Sequence, residues 1–382
     1  MFIIKNGKVL RNKQFVNEDI AIKDGLIVKV GKNLEDENAT VYDAKEKYIV
    51  PGFIDIHTHG GDGIDINAAS SEDLDKVSKF FAKHGVTSFL ASILTDTKAQ
   101  TENAIDACVD RIEKGSSGAD LFGIHLEGPF LNAKYKGAMP EKLLRSGDLD
   151  LVKSYQKRAK GNIRYITIAP EVGDNLKMIK GLKDLGIVVS MGHSDATYEE
   201  TVAAIREGAN AITHLMNAMR QIHQHEIGIA GAALIEDVYV ETICDNRHLK
   251  ESTVKFIYKI KPEELIIPIT DCIMATGLPD GEYKLGINDV IVEDGDAKLK
   301  ETKVRAGSTL TLDVAMKNIM QNTKKNLAHT VSLMTENPAR LFNLKDRGIL
   351  ETGKRADIVV LNEDYSVEKT FIKGKIVYHK EK

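Results

Sequence analysis

The sequence predicts an α/β fold, a (β/α)8 barrel with a small β-sandwich domain formed by both chain ends. Three observations carry this. Residues 1–52 run as short alternating strands, eight apolar runs then follow between helical or long loop segments, and the chain from 346 onward returns to strand patterning. Strand–helix alternation of this length implies a parallel sheet, and eight units imply closure into a TIM barrel.

The N-terminal part reads as FIIKNGKVL, DIAIKDGLIVKVG and TVYDAKEKYIVPG, with NGK and DGL as hairpin turns. The barrel is expected over 53–345. Its strands are FIDIH, VTSFLASI, LFGIHLE, NIRYITIAP, GIVVSMGH, NAITHL, VYVETIC and ELIIPITD. Helical periodicity is expected over 71–84, 99–113, 175–185, 198–207 and 251–260, and beyond the strands over 311–321 and 327–334. A turn-rich, strand-like insertion lies near 281–303, and ADIVVLNEDYSVEKTFIKGKIVYHK in 346–382 rejoins the small β unit.

Composition narrows the function. Lys and Arg number 52 against 56 Asp and Glu, and the net charge of −4 comes with no basic stripe, which argues against nucleic acid. The apolar runs are too short for a membrane span, and MFIIKNGKVL carries charge where a signal peptide needs an apolar core. Cys108, Cys244 and Cys272 are few and scattered, which fits reduced thiols and a cytoplasmic protein.

The barrel places its active site at the C-terminal ends of its strands. Metal-capable residues collect there: His57 and His59 on strand one, His125 and Glu127 on three, His193 on five, His214 on six and Asp271 on eight. One such residue at a strand end is commonly a core histidine or a helix cap. Five strand ends carrying them make a site. A borderline divalent cation such as Zn²⁺ or Fe²⁺ takes imidazole and carboxylate ligands and keeps a position open for water. Glu127, His193 and His214 make a three-ligand set, His57 and His59 offer a place for a second ion, and Asp271 is the candidate acid/base. His125 shares the inward face of Glu127 and is the weakest member, read as packing below the metal layer or steadying an oxyanion.

This order of HxH, Glu, His, His and Asp resembles the amidohydrolase superfamily. Several of its branches bridge two metals through a carboxylated lysine at the end of strand four. IRYITIAP has no lysine, and Glu127 is the natural substitute. PGFIDIHTHG, HLEGPF, MGHSDAT, THLMNAM, ITDCIMATGLPDGEY, ENPARLFNL and GKRADIVVL together resemble the N-acetylglucosamine-6-phosphate deacetylases over nearly the whole chain. The resemblance implies hydrolysis of the acetamide of an amino-sugar 6-phosphate with one or two divalent ions per chain, and a homodimer. It implies substrate contacts from Asn217 and Ala218 in THLMNAM, from His248 in DNRHLK and from Ala138 in KGAMP.

Two positions depart from the family pattern. His225 stands where an arginine commonly reaches the phosphate from a neighbouring subunit, and Met139 stands where a polar residue, often His, follows the KGA turn. Histidine carries at best a partial charge at neutral pH, and Arg220, His223 and Arg247 are the candidates to compensate. Competing expectations are a deacetylase of a related N-acetylhexosamine (the galacto epimer or an unphosphorylated sugar), a cyclic-amide hydrolase or deaminase, and a catalytically silent sugar-binding protein on the same scaffold.

Overall fold

The structure, a computed structural model, describes residues 1–380. Eight parallel strands run in chain order around one sheet: Phe53–Thr58, Val86–Leu94, Asp120–Glu127, Ile163–Ile168, Val188–Met191, Ala211–Ile212, Tyr239–Ile243 and Ile266–Ile269. The first two are buried at every residue, which is why they read as unbroken apolar runs rather than as alternation. The seam closes just past strand eight, where Asp271 N–H donates to His57 O at 2.9 Å and His59 N–H to Cys272 O at 2.8 Å. The residues that shut the barrel are thus the ones that carry its candidate chemistry.

Each strand is followed by a helix: Ser71–Lys83, Lys98–Lys114, Leu149–Arg158, Asn175–Asp184, Tyr198–Glu207, Gly228–Ile235, Glu251–Ile260 and Leu312–Thr323. Local chemistry starts several of them. Ser70 with Asp73, and Thr197 with Glu200, form reciprocal capping boxes that satisfy the free N–H groups of the first turn. Two helices are additions to the sequence expectation. Leu149–Arg158 follows a long irregular loop, and seven of the eight residues of Gly228–Ile235 are buried, so that helix shows no amphipathic period.

The chain ends share one hydrogen-bonded sheet. Its order is Lys375–His379, Val367–Ile372, Ile358–Leu361, Tyr48–Pro51, Phe2–Arg11, Gln14–Lys23 and Leu26–Gly31, with Thr40–Asp43 also on Phe2–Arg11. The two ends meet where Ile358 pairs with Pro51. The sheet folds over a core of its own that includes Ile4, Ile20, Ile49, Ile358 and Phe371, and the Phe371 ring lies 5.6 Å from that of Phe2.

Asp24–Gly25 makes the expected hairpin turn, with φ of 50° and 80°. NGK does not. Asn6 and Gly7 form a bulge inside Phe2–Arg11, and the turn falls at Asn12–Lys13. A Cβ on Gly7 would come within 2.5 Å of Ile49, so the glycine serves close packing there rather than a reversal.

The insertion is a three-stranded antiparallel meander, Gly281–Leu285, Asn288–Glu293 and Asp296–Leu299. Its Leu285, Val290 and Val292 share a core with Leu94, Leu131 and Met139, so it forms a wall over the barrel mouth. Among the described residues no helix is long and apolar enough to cross a membrane.

Candidate metal centre and active site

The HTH sequence ends strand one with His57 and His59 both pointing into the mouth, their Nε2 atoms 3.1 Å apart. Glu127 ends strand three at the centre of the group. Its Oε1 lies 3.1 Å from His193 Nε2, 3.2 Å from His214 Nε2 and 3.4 Å from His57 Nε2, and its Oε2 lies 3.3 Å from His59 Nε2. Asp271 Oδ1 faces the HxH pair, 3.1 Å from His59 Nε2 and 3.6 Å from His57 Nε2. All six residues are buried, and they form two overlapping groups with cation-binding geometry, His57–His59–Glu127 and Glu127–His193–His214.

The outer nitrogens settle which way these imidazoles face. Nδ1 of His59 lies 3.2 Å from Ser92 O, that of His193 2.8 Å from Tyr135 O, and that of His214 3.2 Å from Asn217 O. Nδ1 of His57 lies 2.9 Å from Glu241 Oε2. Each acceptor requires a proton on Nδ1, which leaves the Nε2 lone pairs aimed at one another and at Glu127. Four lone pairs and two carboxylates converging without lysine or arginine need positive charge between them, and this donor set suits a divalent cation.

The electrostatics of the protein alone say the same. Burial pushes the Glu127 carboxyl up, but the imidazoles of His57, His193 and His214 outweigh it and hold Glu127 well below the usual carboxylate range. Burial also raises Asp271, and His59 and His57 bring it below its ordinary value. Burial opposes protonation of His59, yet Asp271 and Glu127 lift it to about 9. The site therefore takes up protons wherever it lacks a metal ion.

The backbone bends to deliver these groups. His193, His214 and Asp271 adopt φ of 48°, 31° and 51°, a left-handed conformation that costs about 1–2 kcal/mol per non-glycine residue. Such strain collects at functional sites because the surrounding structure fixes it.

His125 lies below this layer, as read from the sequence. Its Nδ1 meets Ser92 Oγ and its Nε2 meets Thr167 Oγ1, each at 2.9 Å, and its ring sits edge-on to His57. With both nitrogens engaged away from the mouth, it has none left for an oxyanion. Strand four contributes Thr167 to this network and no lysine.

Above the cluster opens a pocket of about 270 Å³. Of the expected substrate residues, Ala138, Asn217, Ala218 and His248 line it, and so does Met139. His248 is held by Asp245, with Nδ1 2.7 Å from Oδ2. Two are elsewhere. Arg220 is turned to Asp195, its Nε 2.8 Å from Oδ1, and His225 is exposed beside His223 on a loop outside this chain's pocket. The sequence reading missed Glu241, Asp55 and Arg305. Glu241 and Asp55 had a visible signal, since each is a carboxylate within an apolar strand, where burial is costly unless it is paired.

A parallel barrel with imidazoles, a shared glutamate and a facing aspartate at its C-terminal mouth is the architecture of a metal-dependent hydrolase. Residues 48–377 match the model of the amidohydrolase family, and the chain belongs to that family. It is similar to an N-acetylglucosamine-6-phosphate deacetylase of Lysinibacillus sphaericus, 34% identical over 376 residues covering 96% of this chain and 97% of the relative. An N-acetylgalactosamine-6-phosphate deacetylase of Escherichia coli O157:H7 is 30% identical, covering 96% and 98%. The structure of an N-acetyl-D-glucosamine-6-phosphate deacetylase mutant from Mycobacterium smegmatis, in complex with N-acetyl-D-glucosamine-6-phosphate, aligns with a TM-score of 0.92. It is 32% identical and covers 98% of this chain and 99% of that one.

Proposed function

We propose that this protein hydrolyses the acetamide of N-acetylglucosamine 6-phosphate to acetate and glucosamine 6-phosphate, as a step of amino-sugar catabolism. The observation that carries the reading is Asp271. A buried carboxylate, held ionised, faces the histidine–glutamate cluster across the floor of a pocket of sugar size. Full-length similarity to deacetylases of this substrate supports it.

Glu127, His193 and His214 hold the principal divalent ion, of the zinc or ferrous type, and His57 and His59 offer a place for a second. When bound, such a cation acidifies water and polarises an acyl oxygen. Asp271 takes a proton from the attacking water and returns it to the amide nitrogen as the C–N bond breaks, so that one water is consumed and a neutral amine leaves. Asn217, Ala218, Ala138 and His248 orient the sugar above the floor. The reading includes a homodimer in the cytoplasm, and three free, buried cysteines fit a reducing compartment.

The Escherichia coli relative favours one second reading, the galacto epimer as substrate. Acetate release from N-acetylglucosamine 6-phosphate, N-acetylgalactosamine 6-phosphate and the two unphosphorylated sugars, measured side by side with metal-replete protein, decides. The gluco 6-phosphate is expected to show the highest kcat/KM. No acetate from any of the four would overturn the function.

A further inference from the structure

The pocket mouth carries two basic groups whose partners are arranged alike. Lys134 lines the pocket and lies 3.0 Å from Asp195, which Arg220 also contacts at 2.8 Å. Arg305 lines it as well. Its Nε and Nη2 lie 2.8 and 3.1 Å from the two oxygens of Asp296, which Lys298 also contacts at 3.0 Å. In each cluster two bases share one acid, so each trio sums to one net positive charge, with Glu226 acting on Arg220 and Asp245 on Arg305 from further off. His225 is exposed and lies outside the pocket of its own chain.

The two clusters differ in what they offer. Lys134 presents a mobile ammonium on a side chain that is 65% exposed. Arg305 is locked along one edge by a two-point bond to Asp296, whose side chain is 10% exposed, and Nη1 has no hydrogen-bond partner among the described residues. Burial raises Asp296, but Arg305 and Lys298 outweigh it and lower it to about 2, so the anchor stays ionised at any working pH. A guanidinium fixed on one edge and free on the other is organised in advance for a tetrahedral oxyanion.

We propose that Arg305 is the specificity residue for the anionic substituent of the substrate, supplied from within the same chain, with Asp296 as the residue that positions it. This rests on the sugar-phosphate reading above. The 6-phosphate lies against the free edge of Arg305, while the acetamide reaches the floor of the pocket. Lys134 adds long-range attraction and no fixed contact.

The test compares wild type, Arg305→Gln, Arg305→Lys and Lys134→Ala, all metal-replete, on N-acetylglucosamine 6-phosphate and unphosphorylated N-acetylglucosamine. The ratio of the two kcat/KM values cancels any loss of folded protein. In Arg305→Gln this ratio is expected to fall about 10- to 100-fold, through KM rather than kcat, as for loss of a hydrogen bond to a charged group. Arg305→Lys should fall between, and Lys134→Ala should change the ratio less than Arg305→Gln. A ratio unchanged in Arg305→Gln, or a larger loss in Lys134→Ala, would overturn the proposal.

Calorimetric binding of glucosamine 6-phosphate against glucosamine separates this inference from the function. A wild type that releases no acetate but binds the phosphorylated sugar in preference, with the preference lost in Arg305→Gln, overturns the deacetylase reading and keeps the anion site. Equal preference in both proteins removes the site.

Discussion

The carboxylate of Glu241 lies 2.9 Å from Nδ1 of His57, and the oxygen involved also accepts the backbone N–H of His214 at 3.0 Å. One buried side chain on strand seven thereby orients an imidazole from strand one and a peptide from strand six. Tyr165 donates to its other oxygen at 2.8 Å. Partners of this kind fix the tautomer of a ligating histidine, and their loss typically costs about 10–100-fold in metal affinity. Glu241→Leu is expected to weaken metal retention by that amount in competition with a chelator, and Glu241→Gln, which keeps one acceptor, by less. Undiminished retention in Glu241→Leu would show that packing alone aims His57.

Elemental analysis addresses the number of ions. Metal-replete protein is expected to hold more than one equivalent per chain, and a His57/His59 double substitution should return it to about one. His214→Ala should lose metal and activity together, because it removes a ligand from the Glu127 group. A stoichiometry of one that ignores His57 and His59 would make the HxH pair structural.

Asp271→Asn distinguishes proton transfer from loop capping. Asn keeps the shape and caps a loop nearly as well, so a structural role predicts little change. Proton shuttling predicts a loss in kcat of at least 10²–10⁴-fold with metal content intact, the usual worth of general acid–base catalysis. Turnover near that of wild type would transfer the proton to another group.

Lys261 gives a pH signature remote from the metal. It is 3% exposed, its Nζ donates to Ala233 O at 2.8 Å, and burial lowers it to about 8. The unfolded chain then holds this proton more tightly than the native state between about pH 8 and 10.5, so the contribution of Lys261 to stability grows as pH rises through that window. The neutral amine still donates to the carbonyl. Denaturant unfolding of wild type and Lys261→Met at pH 7.5 and 9.5 should show the difference moving in favour of wild type, by on the order of 2 kcal/mol. A pH-independent difference would mean that the amine is charged throughout.

The barrel was legible because its strands are apolar runs that stop at ligand-type residues, and because helices such as Glu251–Ile260 show a clean amphipathic period. Gly228–Ile235 was not legible, since burial all round erases that period. The bulge at Asn6–Gly7 carries the same dipeptide as a hairpin turn, and only its neighbour Ile49 distinguishes them. In the site, the six residues of the histidine–carboxylate cluster announced themselves by position. Glu241 was marked only as a carboxylate inside an apolar strand, which does not say that it reaches His57 across the barrel interior, and Arg305, which acts through Asp296 on the meander, has no local pattern to mark it.

The meander of 281–299 shares its core with Leu94, Leu131 and Met139 while the reactive groups stand on the strand ends beneath it. Selection can therefore act on the two layers separately. On the deacetylase reading proposed above, a changed rim residue would alter which substrate is admitted while the scissile bond still met the same reactive groups, so specificity could diverge without rebuilding the chemistry.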